Sequence, residues 1–155
     1  MAVALLVQLK ELGMPQPACA LLLSPWADMT ATANSYSRNA KRDPVLNREV
    51  MQFLAEQYLG ERPRETPLAS PVFADLGGIA PLTIFVGATE ALLDDAVALA
   101  RAAGLADVSV RLEIWPEMFH IWPNFHQVLA QGRQGVARAG RLVREAVEAA
   151  SGDEG

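Results

Sequence analysis

Two continuous apolar runs, residues 19–23 (CALLL) and 82–86 (LTIFV), and an alternating one, residues 110–115 (VRLEIW), are separated by long segments with helical apolar spacing. No other feature constrains the fold as strongly. A continuous apolar run bounded by turn residues such as Ser24-Pro25 suits a strand buried on both faces. In the third run Val110, Leu112 and Ile114 alternate with Arg111, Glu113 and Trp115, until Pro116 removes a backbone donor. Strands that alternate with helices pack as an α/β layer with a parallel sheet, because right-handed crossovers place the helices on the sheet faces.

The intervening segments fit that scheme. Residues 1–12 read as an amphipathic helix ending near Gly13; the apolar start lacks the basic flank of a signal peptide and runs at once into Gln8, Lys10 and Glu11. Leu46, Val50, Phe53, Leu54 and Tyr58 recur at helical spacing up to Gly60, and residues 92–103 form a further helix that stops at Gly104. Phe125, Val128, Leu129, Val136, Val143 and Val147 mark a helical tail, which Gly132, Gly135 and Gly140 weaken at about 1 kcal/mol each relative to alanine. Residues 28–44 are a polar excursion, and residues 61–78, with Pro63, Pro67 and Pro71, an ordered irregular connection. One domain over residues 1–150 is expected, followed by a disordered tail at 151–155.

Composition excludes several classes. With 155 residues and 51% hydrophobic residues the chain can bury a real core. A net charge of -5 and scattered Lys and Arg residues argue against nucleic acid; the densest basic patch, Arg38, Lys41, Arg42 and Arg48, reads as solvated surface. The single Cys19 permits no internal disulfide and suits a reducing, cytoplasmic compartment. No apolar run approaches the roughly eighteen residues of a membrane span, so a soluble protein is expected. Neither a metal nor a cofactor motif is present in the pattern.

In a parallel α/β sheet the chemistry gathers beyond the carboxyl ends of the strands. Here that selects residues 24–28, 87–95 and 115–120, of which the last two carry titratable groups in VGATEALLDDA and WPEMFHIW. His120 reads in two ways: as a half-buried imidazole packed on Trp115 or Trp122, or as a general base oriented by a carboxylate from the neighbouring strand end. Spacing alone leaves both open, since any α/β protein offers some such pair. Asp94 and Asp95 suit the first turn of a helix, where negative charge meets the macrodipole. Glu117 and His126 read as surface residues.

The segments LLLSPWADMT, DPVL, YLG, PLASPVFADLGGIAPLTIFVGATEALLDDAVALA and VRLEIWPEMFHIWPNF, in that order, resemble the C-terminal half of the hormone-sensitive-lipase-like esterases of the α/β-hydrolase superfamily. The resemblance runs from residue 1 to about residue 144. It implies about three parallel strands with flanking helices and no N-terminal strands. In that family the acid follows the seventh strand and the histidine the eighth, which puts His120 on the catalytic histidine and Glu90 on the acid. Most relatives carry aspartate there, although the superfamily triad accepts either carboxylate. Asp94 is the alternative acid. Residues 28–67 would contribute to a cap over the acyl pocket, with Trp26, Tyr36 and Phe73 as wall residues, although packing explains each aromatic equally well.

The family's nucleophile is a serine in a Gly-x-Ser-x-Gly elbow, which occurs nowhere in these 155 residues: none of Ser24, Ser35, Ser37, Ser70, Ser109 and Ser151 has glycine two residues before and two residues after it. Ser24 ends a strand, yet its Ser-Pro-Trp context is a structural turn in relatives. The chain therefore resembles a piece that starts just after its own nucleophile. Two functions follow: a hydrolase of small carboxylic esters whose other half supplies the serine and oxyanion donors, or a non-catalytic, partner-binding remnant. A peptidase or lactonase is the nearest rival within the enzyme class. An unpaired strand 19–23 would also leave an edge through which copies could associate.

Overall fold

The computed structural model describes residues 1–152. Strands β1 (Ala20–Leu23), β2 (Leu82–Gly87) and β3 (Val110–Trp115) form a parallel sheet in the order β1-β2-β3, with Ala20 opposite Leu82 and Leu82 opposite Val110. Successive side chains point to opposite faces. Leu22, Leu82, Ile84 and Val86 therefore face one way, into a core shared with helix α1 (Ala2–Glu11) and helix α4 (Leu93–Leu105). Leu21, Leu23, Phe85 and Trp115 face the other way, toward Met118, Trp122 and the long helix α5 (Ala130–Gly152). Both sides of β2 are covered, which is why its sequence has no polar alternation.

Between β1 and β2 the excursion holds one helical turn, α2 (Ser35–Arg38), and helix α3 (Arg48–Leu59), capped by the Asn47 side chain, which accepts from the Val50 amide at 2.9 Å. A 3-10 turn at Pro71–Phe73 packs against α4. The last connection makes a second such turn at Trp122–Phe125 before α5 begins.

Several expectations need correction. The face of α3 that buries itself is Met51, Ala55 and Leu59, whereas the periodic residues Val50, Phe53, Leu54 and Tyr58 are exposed, Tyr58 by 65%. Helix α4 runs through Gly104, and the left-handed residue that turns the chain is Asp107, at φ 60°. Helix α5 starts at Ala130 rather than Phe125 and includes Ser151 and Gly152; the remainder of the expected disordered tail, 153–155, lies outside the described residues. Among the described residues, no helix is long and apolar enough to cross a membrane.

Candidate active site

At the carboxyl edge of the sheet Gly87 pairs with Trp115, and Leu23, the last residue of β1, pairs with Phe85. The loop after β2 lies directly on the loop after β3: Ala88 N donates to Trp115 O at 2.9 Å, and Thr89 donates to Met118 O from both its amide, at 3.1 Å, and its hydroxyl, at 2.7 Å. A Cβ on Gly87 would fall 2.1 Å from Met118 O, so only glycine lets the two loops approach this closely. The consequence is a short path between two side chains thirty residues apart in sequence: His120 Nδ1 lies 3.0 Å from Glu90 Oε2.

Glu90 is 0% exposed. A carboxylate in that position must be matched by donors, and it has three. Oε1 accepts from the Gly87 amide and from Ser24 Oγ, the latter at 2.9 Å, and Oε2 faces the His120 ring. Ser24 in turn accepts the Ile121 amide at 3.0 Å. The imidazole is partly exposed, and among the described residues its Nε2 makes no hydrogen bond. One nitrogen held by a carboxylate and the other free is the arrangement of a base whose tautomer is fixed and whose working nitrogen faces outward.

The other carboxylates have different work. Asp94 Oδ2 accepts from Ser35 N at 2.8 Å, and Oδ1 pairs with Arg38 at 2.9 Å. Asp95 Oδ2 accepts the amides of Ala27, at 3.2 Å, and Asp28, at 3.0 Å. Asp43 accepts Ala91 N at 2.7 Å, and Asn39 Nδ2 donates to Glu90 O at 2.8 Å. The excursion is thus tied to the segment that carries Glu90. Burial raises the Asp95 carboxyl to about 7, opposed by its two amide donors. Burial and the neighbouring Asp95 push the Tyr36 phenol far above its ordinary range. Tyr36 Oη and Asp95 Oδ1 are buried without a well-aligned hydrogen bond, yet the two side chains lie close enough for the phenol to interact with the carboxyl.

Of the expected wall residues, Trp26 lines a groove of about 300 Å³ that runs along β1 past Ser24 to the start of α1. Tyr36 is 1% exposed, enclosed with Ala31, Met51, Ala91 and Leu92 under the Arg48 guanidinium, so its ring fills a small core. Phe73 is half exposed on its 3-10 turn. Glu117 and His126 are exposed. Ser24 is the residue that sequence reasoning undervalued; its backbone at φ 47° makes a turn, but its hydroxyl lies inside the network.

A family model described as alpha/beta hydrolase fold matches residues 1–124. The chain is 43% identical over 146 residues to an acetyl-hydrolase of Streptomyces hygroscopicus, covering 94% of this chain and 49% of that protein. It is 33% identical over 139 residues to an esterase of Acinetobacter venetianus, covering 88% and 46%. Among solved structures, an esterase from the bacterial hormone-sensitive lipase family superposes with a TM-score of 0.92 at 46% identity, over 94% of this chain and 49% of that one. The chain spans about half the length of the relatives it matches. With the family model covering most of its length and a three-stranded parallel sheet flanked by helices, the chain belongs to the family with the alpha/beta hydrolase fold.

Proposed function

We propose that this chain is the C-terminal half of a carboxylic ester hydrolase of the hormone-sensitive-lipase-like group, with His120 as general base and then general acid, and Glu90 as the carboxylate that orients it. The observation that carries this reading is the 3.0 Å contact between His120 Nδ1 and a fully buried Glu90, with Nε2 left free. In an acyl transfer the imidazole would take the proton of an attacking serine at Nε2 and return it to the leaving alkoxide, while Glu90 stabilises the imidazolium between the two steps. The serine and the oxyanion donors would come from residues beyond these 155, since no Gly-x-Ser-x-Gly lies within them. Trp26 would form part of the apolar wall for a small ester, and residues 28–67 would lie next to the cap. A reducing cytoplasm would keep Cys19 a thiol.

A chimera in which the preceding half of the Streptomyces hygroscopicus acetyl-hydrolase is joined to this chain tests the assignment. It is expected to hydrolyse p-nitrophenyl acetate, to lose on the order of a million-fold in turnover with His120→Ala, and to lose far more with Glu90→Gln than with Asp94→Asn. The 155-residue chain alone is expected to be no faster than its own His120→Ala variant. A folded but inactive chimera, equal activity of Glu90→Gln and the parent, or covalent labelling of the chain alone by a fluorophosphonate would overturn the reading.

A further inference from the structure

Ser24 occupies a backbone conformation that disfavours it. At φ 47° it lies in the left-handed region, where a residue with a Cβ pays a steric cost that glycine does not. A turn alone would be served better by glycine or asparagine. What serine adds is a hydroxyl, which has one proton to give and lone pairs to receive. Here both capacities are used across the fold: Oγ donates to Glu90 Oε1 at 2.9 Å and accepts Ile121 N at 3.0 Å, partners 66 and 97 residues away in the chain. Ser24 is 3% exposed, and its own amide is fixed by Phe85 O at 2.8 Å. Ile121, immediately after His120, is itself left-handed at φ 49°.

Resting on the reading of His120 and Glu90 as base and orienting acid, we propose that Ser24 is a positioning residue of that pair. Its hydroxyl clamps the carboxylate from one side and the backbone that carries the imidazole from the other, so that the end of β1 sets the distance between side chains borne by β2 and β3. The clamp explains why strain is retained at this turn. Strained residues persist where the surroundings over-determine them, and they gather at functional sites. Without the hydroxyl, Glu90 Oε1 keeps only the Gly87 amide, and the Ile121 amide is left without its acceptor.

Ser24→Gly separates the hydroxyl from the turn, because glycine suits the backbone but cannot bridge. In the chimera the Nδ1 proton held between His120 and Glu90 is expected to give a far-downfield proton resonance, and the Ile121 amide to be protected from hydrogen exchange. Ser24→Gly and Ser24→Ala are each expected to shift or broaden that resonance and to accelerate Ile121 exchange. In the active chimera the same two variants are expected to lower kcat roughly 10- to 100-fold with KM little changed, as misplacement of a catalytic group by up to about 1 Å does. A folded Ser24→Gly chimera that keeps both the resonance and the Ile121 protection would overturn the proposal. So would an Ile121 amide that exchanges at an open-loop rate in the unsubstituted chimera, a result that needs no variant. If the resonance responds while the unsubstituted chimera is inactive, the hydrolase reading fails and the clamp stands.

Discussion

Asp95 combines a favourable site for charge with an unfavourable one. At the first turn of α4 a negative charge gains about 0.3–1 kcal/mol from the helix dipole, yet the side chain is 1% exposed and burial raises it to about 7. A carboxyl whose folded value lies above its unfolded one binds protons more tightly when folded. The contribution of Asp95 to stability is therefore most favourable below about pH 4, falls as pH rises toward 7, and levels off above it. The penalty is on the order of a few kcal/mol, larger than the dipole gain. In Asp95→Asn the side-chain carbonyl would still accept the Ala27 and Asp28 amides, and the neutral amide would remove the buried charge beside the Tyr36 phenol. Hence Asp95→Asn is expected to raise stability at pH 8 and to flatten its fall between pH 4 and 7, as urea unfolding across that range will measure; an unchanged slope would exclude Asp95 as its source. At this scale strand-end placement narrowed the candidates to two loops, and it was the family resemblance that singled out His120 and Glu90, which the folded chain brings within 3.0 Å. Ser24 was not legible, since its role depends on a positive φ and on partners that only the folded sheet supplies.

The strands were legible as elements, the first two as largely apolar runs and the third through the alternation of Val110, Leu112 and Ile114 with Arg111 and Glu113. The buried face of α3 was not. Its most periodic apolar residues point outward, and the residues that pack, Met51, Ala55 and Leu59, are selected by where Tyr36 and Met29 sit in space. Helix α5 shows the same limit through its glycines, which propensity treats as equal. Gly132 is buried, and a Cβ there would come within 2.9 Å of the His126 backbone; at Gly135 it would meet Trp122 Nε1 at 3.3 Å. Around Gly140 nothing lies within 4 Å. Gly140→Ala is accordingly expected to stabilise by up to about 1 kcal/mol, and Gly132→Ala to destabilise by about 1–3 kcal/mol as the Trp122–Phe125 turn is forced away from α5. Thermal unfolding of the two variants checks the contrast, which equal shifts would contradict.

Across the whole molecule the sheet ends at β1, which among the described residues has no strand on its outer side. The segment around it carries no charge from Pro15 to Trp26, whereas natural edges are guarded by charges, bulges or covering elements. The groove along β1 reaches the start of α1, and a second groove of about 440 Å³ lies between α1 and the exposed Tyr58 and Leu68. Met1, Leu5 and Tyr58, which line this second groove together, are each more than half exposed. Burial of such surface is worth roughly 25 cal/mol per Å², and unpaired strand amides add directional hydrogen bonds, so a second copy of the chain gains on both counts. The 155-residue chain is therefore expected to self-associate at micromolar concentration. The chimera with the acetyl-hydrolase half, in which that side of β1 would be covered, is expected to lose this tendency. Sedimentation velocity over a concentration series distinguishes them: a chain that stays monomeric and unfolds cooperatively on its own would show that the β1 side needs no covering, and would remove the physical ground for assigning it to a larger domain.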